Sequence, residues 1–427
     1  MSEVLTFNNW LSGPPEDLVT INPKRTRKEL NLDVLKVYER FSALSGTRIL
    51  ITTESNYSFL CLFLGIVLSG NVPVLIPQNA ILKEERYALA ELWVTEEDLS
   101  EILAVSPSKT PTKSDFRNSI VELYTSGSSG APKKITKTID QLDLEAAQTT
   151  RLLPKSEIEA VASTADSEHQ YGLTFNIWLA MSHGLAIYDK RIKVPEDCSK
   201  IKVNSLLIST PSFLSNLDPA LLPPPVRRVV SAGAPLTEKA ASLVKNWLGC
   251  EITEIYGSTE AGVIAYRFTR DGNLSSLWTL FSDLSIIENR LVSTGRVLPS
   301  LILEDEYDFQ NPRQFLLKGR KDNILKIGEE RINLTNVEKT ITQFYSMPCK
   351  VIPLERNGRT LLGAVLLDPM VKEVSRLPAA KILSLRNGLK DKIPLLALPR
   401  FWRITPSWPQ NNQGKILIRE LRRFFDE

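Results

Sequence analysis

Histidine is almost missing from this chain: 427 residues hold two, His169 and His183. A metal centre built on several histidines is therefore excluded. Four cysteines, Cys61, Cys198, Cys250 and Cys349, stand far apart without a CxxC pair. That pattern gives neither a zinc site nor a disulfide framework and suits reduced thiols in the cytoplasm. Long apolar runs are lacking too. The most apolar stretch, Phe59–Leu68, is about half the roughly 20 residues a membrane helix needs. Residues Met1–Trp10 carry no basic segment leading into an apolar one, so they do not read as a signal peptide. Neither sign of charge dominates: 52 basic against 49 acidic residues leave +3, which gives no reason to expect nucleic acid as the partner. Internal repeats and low-complexity tracts are absent.

What remains is an ordinary soluble composition, 43% hydrophobic and 24% charged. The length exceeds the roughly 250–300 residues at which one core stops growing, so two domains are expected. Short apolar runs at 48–52, 72–76, 90–94, 204–209, 227–231 and 251–255 alternate with helical patterns such as 56–68 and 237–248. β-Branched residues and turn boundaries mark those runs as strands buried on both faces, and the alternation predicts an α/β fold. Beyond about residue 280 the segments shorten and alternate, as at 285–289 and 314–318. The boundary is placed at Lys321–Asn323, within a charged polar tetrad between apolar strands: residues 1–321, then 322–427.

Five short segments carry chemistry. In Thr125-Ser126-Gly127-Ser128-Ser129-Gly130-Ala131-Pro132-Lys133, hydroxyls and backbone N–H groups crowd together where glycine permits close approach, and a lysine follows. Such a loop can cradle phosphate oxygens. A flexible Ser/Gly linker has the same composition, but linkers seldom follow an apolar strand directly. The Walker A spacing fails, because Pro132 stands where the second glycine should be. Tyr256-Gly257-Ser258-Thr259-Glu260 ends another strand-like run with a ring, a tight turn, two hydroxyls and a carboxylate. A base stacked on the ring and a magnesium–phosphate unit on the carboxylate would use that set; a strand-end turn with a solvated glutamate is the plain alternative. Gly233-Ala234-Pro235, Gly319–Lys326 and Gly414-Lys415 would each pass as a surface turn alone.

In chain order the five resemble the motifs of the adenylate-forming superfamily: acyl-CoA synthetases, aryl acid ligases, luciferases and peptide-synthetase adenylation domains. The resemblance runs from Leu123 to Ile416, about two-thirds of the chain. The segments Glu168–Leu173 and Arg313–Arg320 look like those of the small AMP-ligases of aryl polyene and xanthomonadin-type pigment clusters. The resemblance implies a large N-terminal domain of sheets flanked by helices and a small mobile α+β C-terminal domain. It also implies ATP and Mg2+ as cofactors. The Thr125–Lys133 loop would hold phosphates, Gly233, Ala234 and Pro235 would face adenine, and Tyr256 would stack on it, with Gly257 next to it in the cofactor site. Thr259 would contact the α-phosphate and Glu260 the metal. Arg320 would reach the ribose, Asp322 would be the hinge, and Lys415 would bridge carboxylate and α-phosphate. His169 would stand beside the acid, as pocket wall or as gate to the thiol.

Two departures mark this sequence. The Thr-Gly-Asp that holds the ribose in the superfamily reads Thr294-Gly295-Arg296 here. Asp305, 14 residues before Gly319, takes the expected place without its Thr-Gly, and Asp308 is the runner-up. After Lys326, Glu329 stands where the superfamily has a glycine against the pantetheine arm. The stretch from Glu260 to Asp305 is short, implying a trimmed third subdomain. The resemblance implies ATP-dependent activation of a carboxylic acid, aromatic or medium-chain, and transfer to a thiol on an acyl carrier protein or coenzyme A. A nucleotide- or acid-sensing protein of the same fold is the alternative, but a sensor needs neither Glu260 nor Lys415. A phosphotransferase would need signatures that this sequence lacks.

Overall fold

The computed structural model describes the chain apart from residues 1–3, 78–85, 112–114, 127–131, 154–156, 289, 294, 297–300, 304, 321–323, 328–329, 357–358, 391, 412–413, 415 and 427. At 125, 126, 132, 320, 324, 326, 330, 331 and 359 the backbone alone is described. The chain divides into two compact units: Met1–Ile302 with Asn311–Gln314, and Leu303–Gln310 with Phe315–Glu427. This division falls ahead of the expected boundary at 321–323, which lies outside the described residues.

The first unit is α/β, as the alternation requires. Arg48–Thr52, Val72–Leu75, Leu92–Thr95 and Ile120–Ser126 pair in parallel, and Pro132–Thr138 returns antiparallel to Ile120–Ser126. Helix Asn56–Leu68 starts where the Ser55 hydroxyl accepts from Ser58 N–H, and nearly every side chain on it is buried. An all-round apolar helix can only lie inside a protein or a membrane. Here its Phe63 packs edge-on to Trp178, with Phe7 and Trp10 completing an aromatic cluster.

A second sheet carries Ala160–Ser163, Ser205–Ser209, Val226–Ser231 and Ile252–Ser258 in parallel, and Gly262–Arg270 antiparallel to the last. Ala160–Ser163 and Ser205–Ser209 are uniformly buried, which explains why their sequences read as apolar runs rather than alternating ones. Helix Glu238–Leu248 covers it, capped by Thr237 at one end and by left-handed Gly249 at the other. A small three-stranded sheet, Leu284–Ile287, Arg290–Ser293 and Leu301–Ile302, follows.

The second unit holds a four-stranded sheet of Cys349–Arg356, Arg359–Leu367, Phe401–Thr405 and Ser375–Arg376. Helices Leu334–Tyr345 and Ala379–Leu389 supply Ile341, Leu385 and Leu389 to its core. Among the described residues no helix is long and apolar enough to cross a membrane. All four cysteines are buried and unpaired, and burial pushes the Cys198 thiol up to about 11 and the Cys250 thiol up to about 12.

Candidate active site

The parallel strands of the second sheet end together, and in open α/β sheets ligands bind beyond the carboxyl ends of the strands. Ser231 is opposite Glu254 in register, so the Gly233–Pro235 turn and Tyr256 leave the sheet from neighbouring strands. Gly233 turns the chain at φ +97°, a conformation that disfavours any side chain. Glu254, fully buried, ties the two segments: one oxygen accepts from Leu236 N–H at 2.8 Å and the other pairs with Arg267 at 2.6 Å. The Arg267 guanidinium also lies 4.5 Å from the centre of the Trp278 ring, and Trp278 meets Tyr256 edge-on at 5.8 Å. Tyr256 is thus held in a fixed orientation, half-exposed, with Gly257 and Ser258 open to solvent beyond it.

The hairpin Ile120–Ser126 and Pro132–Thr138 places Thr125 opposite Lys133. Buried Glu122 pins it, pairing with Arg48 at 2.9 Å and with Lys134 at 3.1 Å. Tyr124 is buried, and its hydroxyl receives a hydrogen bond from Arg48 at 2.8 Å, which gives it a structural place beneath the loop. Gly127, Ser128, Ser129 and Gly130 lie outside the described residues, and the side chains of Thr125 and Ser126 are likewise not described.

Lys133 and Glu260, 127 positions apart, meet at 2.6 Å. Burial pushes the Glu260 carboxyl up, but the Lys133 contact, a backbone N–H and Ser258 outweigh it and hold it below the usual carboxylate range. Glu260 remains about a third exposed. A single accessible carboxylate next to the Ser258 and Thr259 hydroxyls fits Mg2+, which commonly takes one or two carboxylates and completes its shell with phosphate oxygens and water. Glu260 would hold that ion, with Thr259 beside it.

His169 caps the helical segment that begins at Gln170, its Nδ1 accepting from Tyr171 N–H at 3.2 Å. That contact makes Nδ1 the acceptor nitrogen. The Tyr171 hydroxyl reaches the carbonyls of Ser209 at 2.9 Å and Val230 at 2.8 Å. His169 therefore sits on a segment fastened to the same strand ends that present Gly233.

The other sequence candidates belong to the second unit. Asp308 is engaged by Lys318 at 3.1 Å, and Asp305 opens the strand Asp305–Asn311 on which both lie. Arg320 closes the strand Gln314–Arg320 and Lys326 lies in Ile324–Ile327; only their backbones are described. Asp322 and Lys415 lie outside the described residues. Among its described neighbours, Gln410 bridges Ile416, and Gly414 N–H donates to the Asn411 carbonyl. Sequence reasoning passed over Glu254, Arg267 and Trp278, and also Lys137 and Glu145, which form a buried ion pair beside this site. Lys137 carried a signal. In a strand, alternate residues share a face, so Lys137 lies on the face of Ile135.

A nucleotide-handling α/β protein is what this constellation defines. Residues 84–301 match the AMP-binding enzyme family, and the chain belongs to it. It is 31% identical over 222 residues to a 4-coumarate–CoA ligase of Rhodobacter capsulatus; the alignment covers 51% of this chain and only 56% of that ligase. It is 25% identical to the 4-hydroxybenzoate–CoA/benzoate–CoA ligase of Rhodopseudomonas palustris, across 97% of this chain and 92% of that enzyme. Among solved structures, ATP-bound MatB of Rhodopseudomonas palustris superposes with a TM-score of 0.78 at 16% identity, covering 98% of this chain and 99% of that one. The anthranilate CoA ligase AuaEII, with anthranoyl-AMP, gives 0.73 at 17% identity, covering 99% of this chain and 98% of that one. The mixed α/β fold of adenylate-forming enzymes therefore extends over nearly the whole chain.

Proposed function

We propose that this enzyme activates a carboxylic acid with ATP as an acyl-AMP and passes the acyl group to a phosphopantetheine thiol. The 2.6 Å contact between Lys133 and Glu260 carries the reading. It joins a phosphate-loop cation to a metal-binding carboxylate, and a magnesium–triphosphate can replace each as the other's partner. The substrate carboxylate oxygen attacks the α-phosphorus, and pyrophosphate leaves in line. Glu260 would hold Mg2+, which would supply neutralisation of phosphate charge. The protein's part is positioning and charge stabilisation, as in other phosphoryl transfers. Lys133 and the Thr125–Gly130 backbone hold the β- and γ-phosphates, Thr259 the α-phosphate, and Gly233, Ala234, Pro235, Tyr256 and Gly257 the adenine. Asp305, Arg320 and Lys326 serve the ribose and the second unit's closure, with Asp322 as hinge. Lys415 stabilises the charge that develops at the α-phosphate, and His169 walls the acid.

The acid is aromatic or medium-chain. An aromatic one suits the likeness of Glu168–Leu173 and Arg313–Arg320 to the pigment-cluster ligases. For the acceptor, a carrier protein is favoured by the second unit. On helix Ile418–Arg423, Arg423 pairs with Glu420 at 2.7 Å, while Arg419 and Arg422 are exposed and form no ion pair among the described residues. That leaves a basic face for an acidic carrier. Free coenzyme A is the second reading, supported by the relatives' names. Buried, unpaired thiols suit a cytoplasmic setting. The test is pyrophosphate release from ATP across a panel of acids, followed by one competent acid offered to coenzyme A and to a phosphopantetheinylated carrier side by side. ADP in place of AMP would overturn the ligase reading, and a markedly higher specificity constant for coenzyme A would overturn the carrier.

A further inference from the structure

Beneath the Lys133–Glu260 contact lies a second Lys–Glu pair that no step of the proposed reaction uses. Lys137 follows Lys133 by four residues on the strand Pro132–Thr138, so both side chains leave the same face. Lys133 is exposed and meets Glu260; Lys137 is 4% exposed and lies 3.7 Å from Glu145, itself 1% exposed. At that distance the attraction is coulombic rather than a direct hydrogen bond. Burial lowers the Lys137 pKa, partly offset by Glu145, and Arg296 and Glu260 both act on it electrostatically.

The Glu145 carboxylate is shared between two parts of the site. Its Oε1 accepts from the Thr174 hydroxyl at 2.8 Å and from Gln170 Nε2 at 3.3 Å, and Gln170 also donates to Thr174 at 2.9 Å. Gln170 is the residue after His169. The Glu145 Oε2 makes no hydrogen bond among the described residues and lies against Gly262, where an added Cβ would come within 1.9 Å of it. Gly262 has φ +70° and begins the strand two residues after Glu260. The same turn is braced by fully buried Arg296, which donates to the Val263 carbonyl at 2.7 Å and pairs with Asp283 at 2.6 Å. One carboxylate on helix Ile139–Thr149 thus touches the His169 segment, the Glu260 turn and the strand that carries Lys133.

We infer that Glu145 is a positioning residue for the adenylation step, setting the His169–Gln170 segment and the Thr259–Glu260 turn at a fixed separation, with Lys137 holding it in place. This rests on the ligase reading above. Its function lies in the oxygen that Thr174 and Gln170 address, whereas the charge pair itself serves burial. Replacing a buried pair by apolar residues of similar volume is often neutral for stability, while removing one partner alone is costly. The two contributions can therefore be separated.

The experiment compares wild type, the double variant Lys137→Met with Glu145→Leu, the double variant Lys137→Met with Glu145→Gln, and Thr174→Val. Each is measured by thermal melting, by acid-dependent pyrophosphate release, and by amide exchange at residues 170–174 and 258–263. The leucine double variant should melt within a few degrees of wild type, yet lose about tenfold or more in kcat, as small misplacements do. KM for ATP should stay within about threefold, because the phosphate contacts are kept. Both exchange segments should lose protection together. The glutamine double variant, which keeps the acceptor oxygen, should recover at least half of the wild-type kcat. Thr174→Val should lower kcat in the same manner and keeps the test decisive if the leucine variant does not fold. Wild-type kcat in the folded leucine variant or in Thr174→Val would overturn the proposal, as would loss of protection in one segment alone. If wild type itself releases no pyrophosphate, the ligase reading fails, and amide exchange still decides whether Glu145 couples the two segments.

Discussion

Glu254 is the point at which stability and nucleotide binding should separate. It is 2% exposed on its side chain and holds two unlike partners, the Leu236 N–H and the Arg267 guanidinium. Glu254→Ala strands Arg267, whose side chain is only 13% exposed, in a site built for a carboxylate. Breaking one side of a buried pair costs about 3–5 kcal/mol. Glu254→Gln keeps an oxygen for Leu236 N–H and loses the charge, so the cost should be about 1.5–3 kcal/mol, the range of a hydrogen bond to a charged group. Urea unfolding of the first unit, followed by the fluorescence of Trp278 and its neighbours, reads both values. The alanine variant should also weaken ATP about tenfold, about 1.4 kcal/mol, because the Gly233–Pro235 turn loses its anchor. The glutamine variant should bind ATP nearly as wild type. A Glu254→Ala protein within about 1 kcal/mol of wild type would refute the assignment of this pair as buried and mutually dependent. Equal ATP loss in both variants would refute the role of the Leu236 contact.

Other perturbations have definite outcomes. Lys415→Ala should abolish acyl-AMP formation and leave equilibrium ATP binding nearly intact, because a transition-state cation acts on rate; adenylate formed at the wild-type rate would remove it from the mechanism. Asp322→Pro should block one half-reaction and spare the other, since proline fixes φ near roughly −65°; equal loss of both indicates misfolding, and no change removes the hinge. Burial pushes the Glu168 carboxyl from 4.5 up to about 8, against the pull of Thr53 N–H and Arg86. The folded state thus holds its proton more tightly, and this contribution to stability is full below 4.5, falls through the interval as pH rises and is gone above 8. Glu168→Gln should remove a slope of at most about 1.4 kcal/mol per pH unit between those limits in chemical unfolding, and an unchanged slope would contradict the shift.

The sequence was most informative where local physics decides the outcome. Arg48–Thr52 and helix Asn56–Leu68 appear with the expected bounds, since uniform apolarity leaves a buried strand or buried helix as the choices and length separates them. Thr237 was expected within its helix and serves instead as the cap before Glu238, where its hydroxyl accepts from Ala240 N–H. The motif residues were legible because glycine, hydroxyl and charge cluster along the chain. Their support was not. Glu254 looks like any strand carboxylate until Arg267 and Leu236 stand beside it, and Glu145 lies on the buried stripe of its helix with Leu142 and Ala146, where the sequence names no partner for it. Contacts across 13 to 29 positions are made by tertiary packing, and one sequence carries no periodicity that reports them. Tyr124 shows the opposite case: it adjoins the phosphate loop in sequence, yet its ring is buried and its hydroxyl serves Arg48.

The most direct test of the central claim is to incubate the purified protein with Mg2+, ATP and a panel of aromatic and medium-chain acids, and to separate the nucleotide products. The account predicts acid-dependent pyrophosphate with acyl-AMP retained on the enzyme, converted to AMP and thioester when a phosphopantetheine thiol is added, and both lost in Lys415→Ala. ADP as the product, or ATP left intact with every acid while still bound, would contradict it.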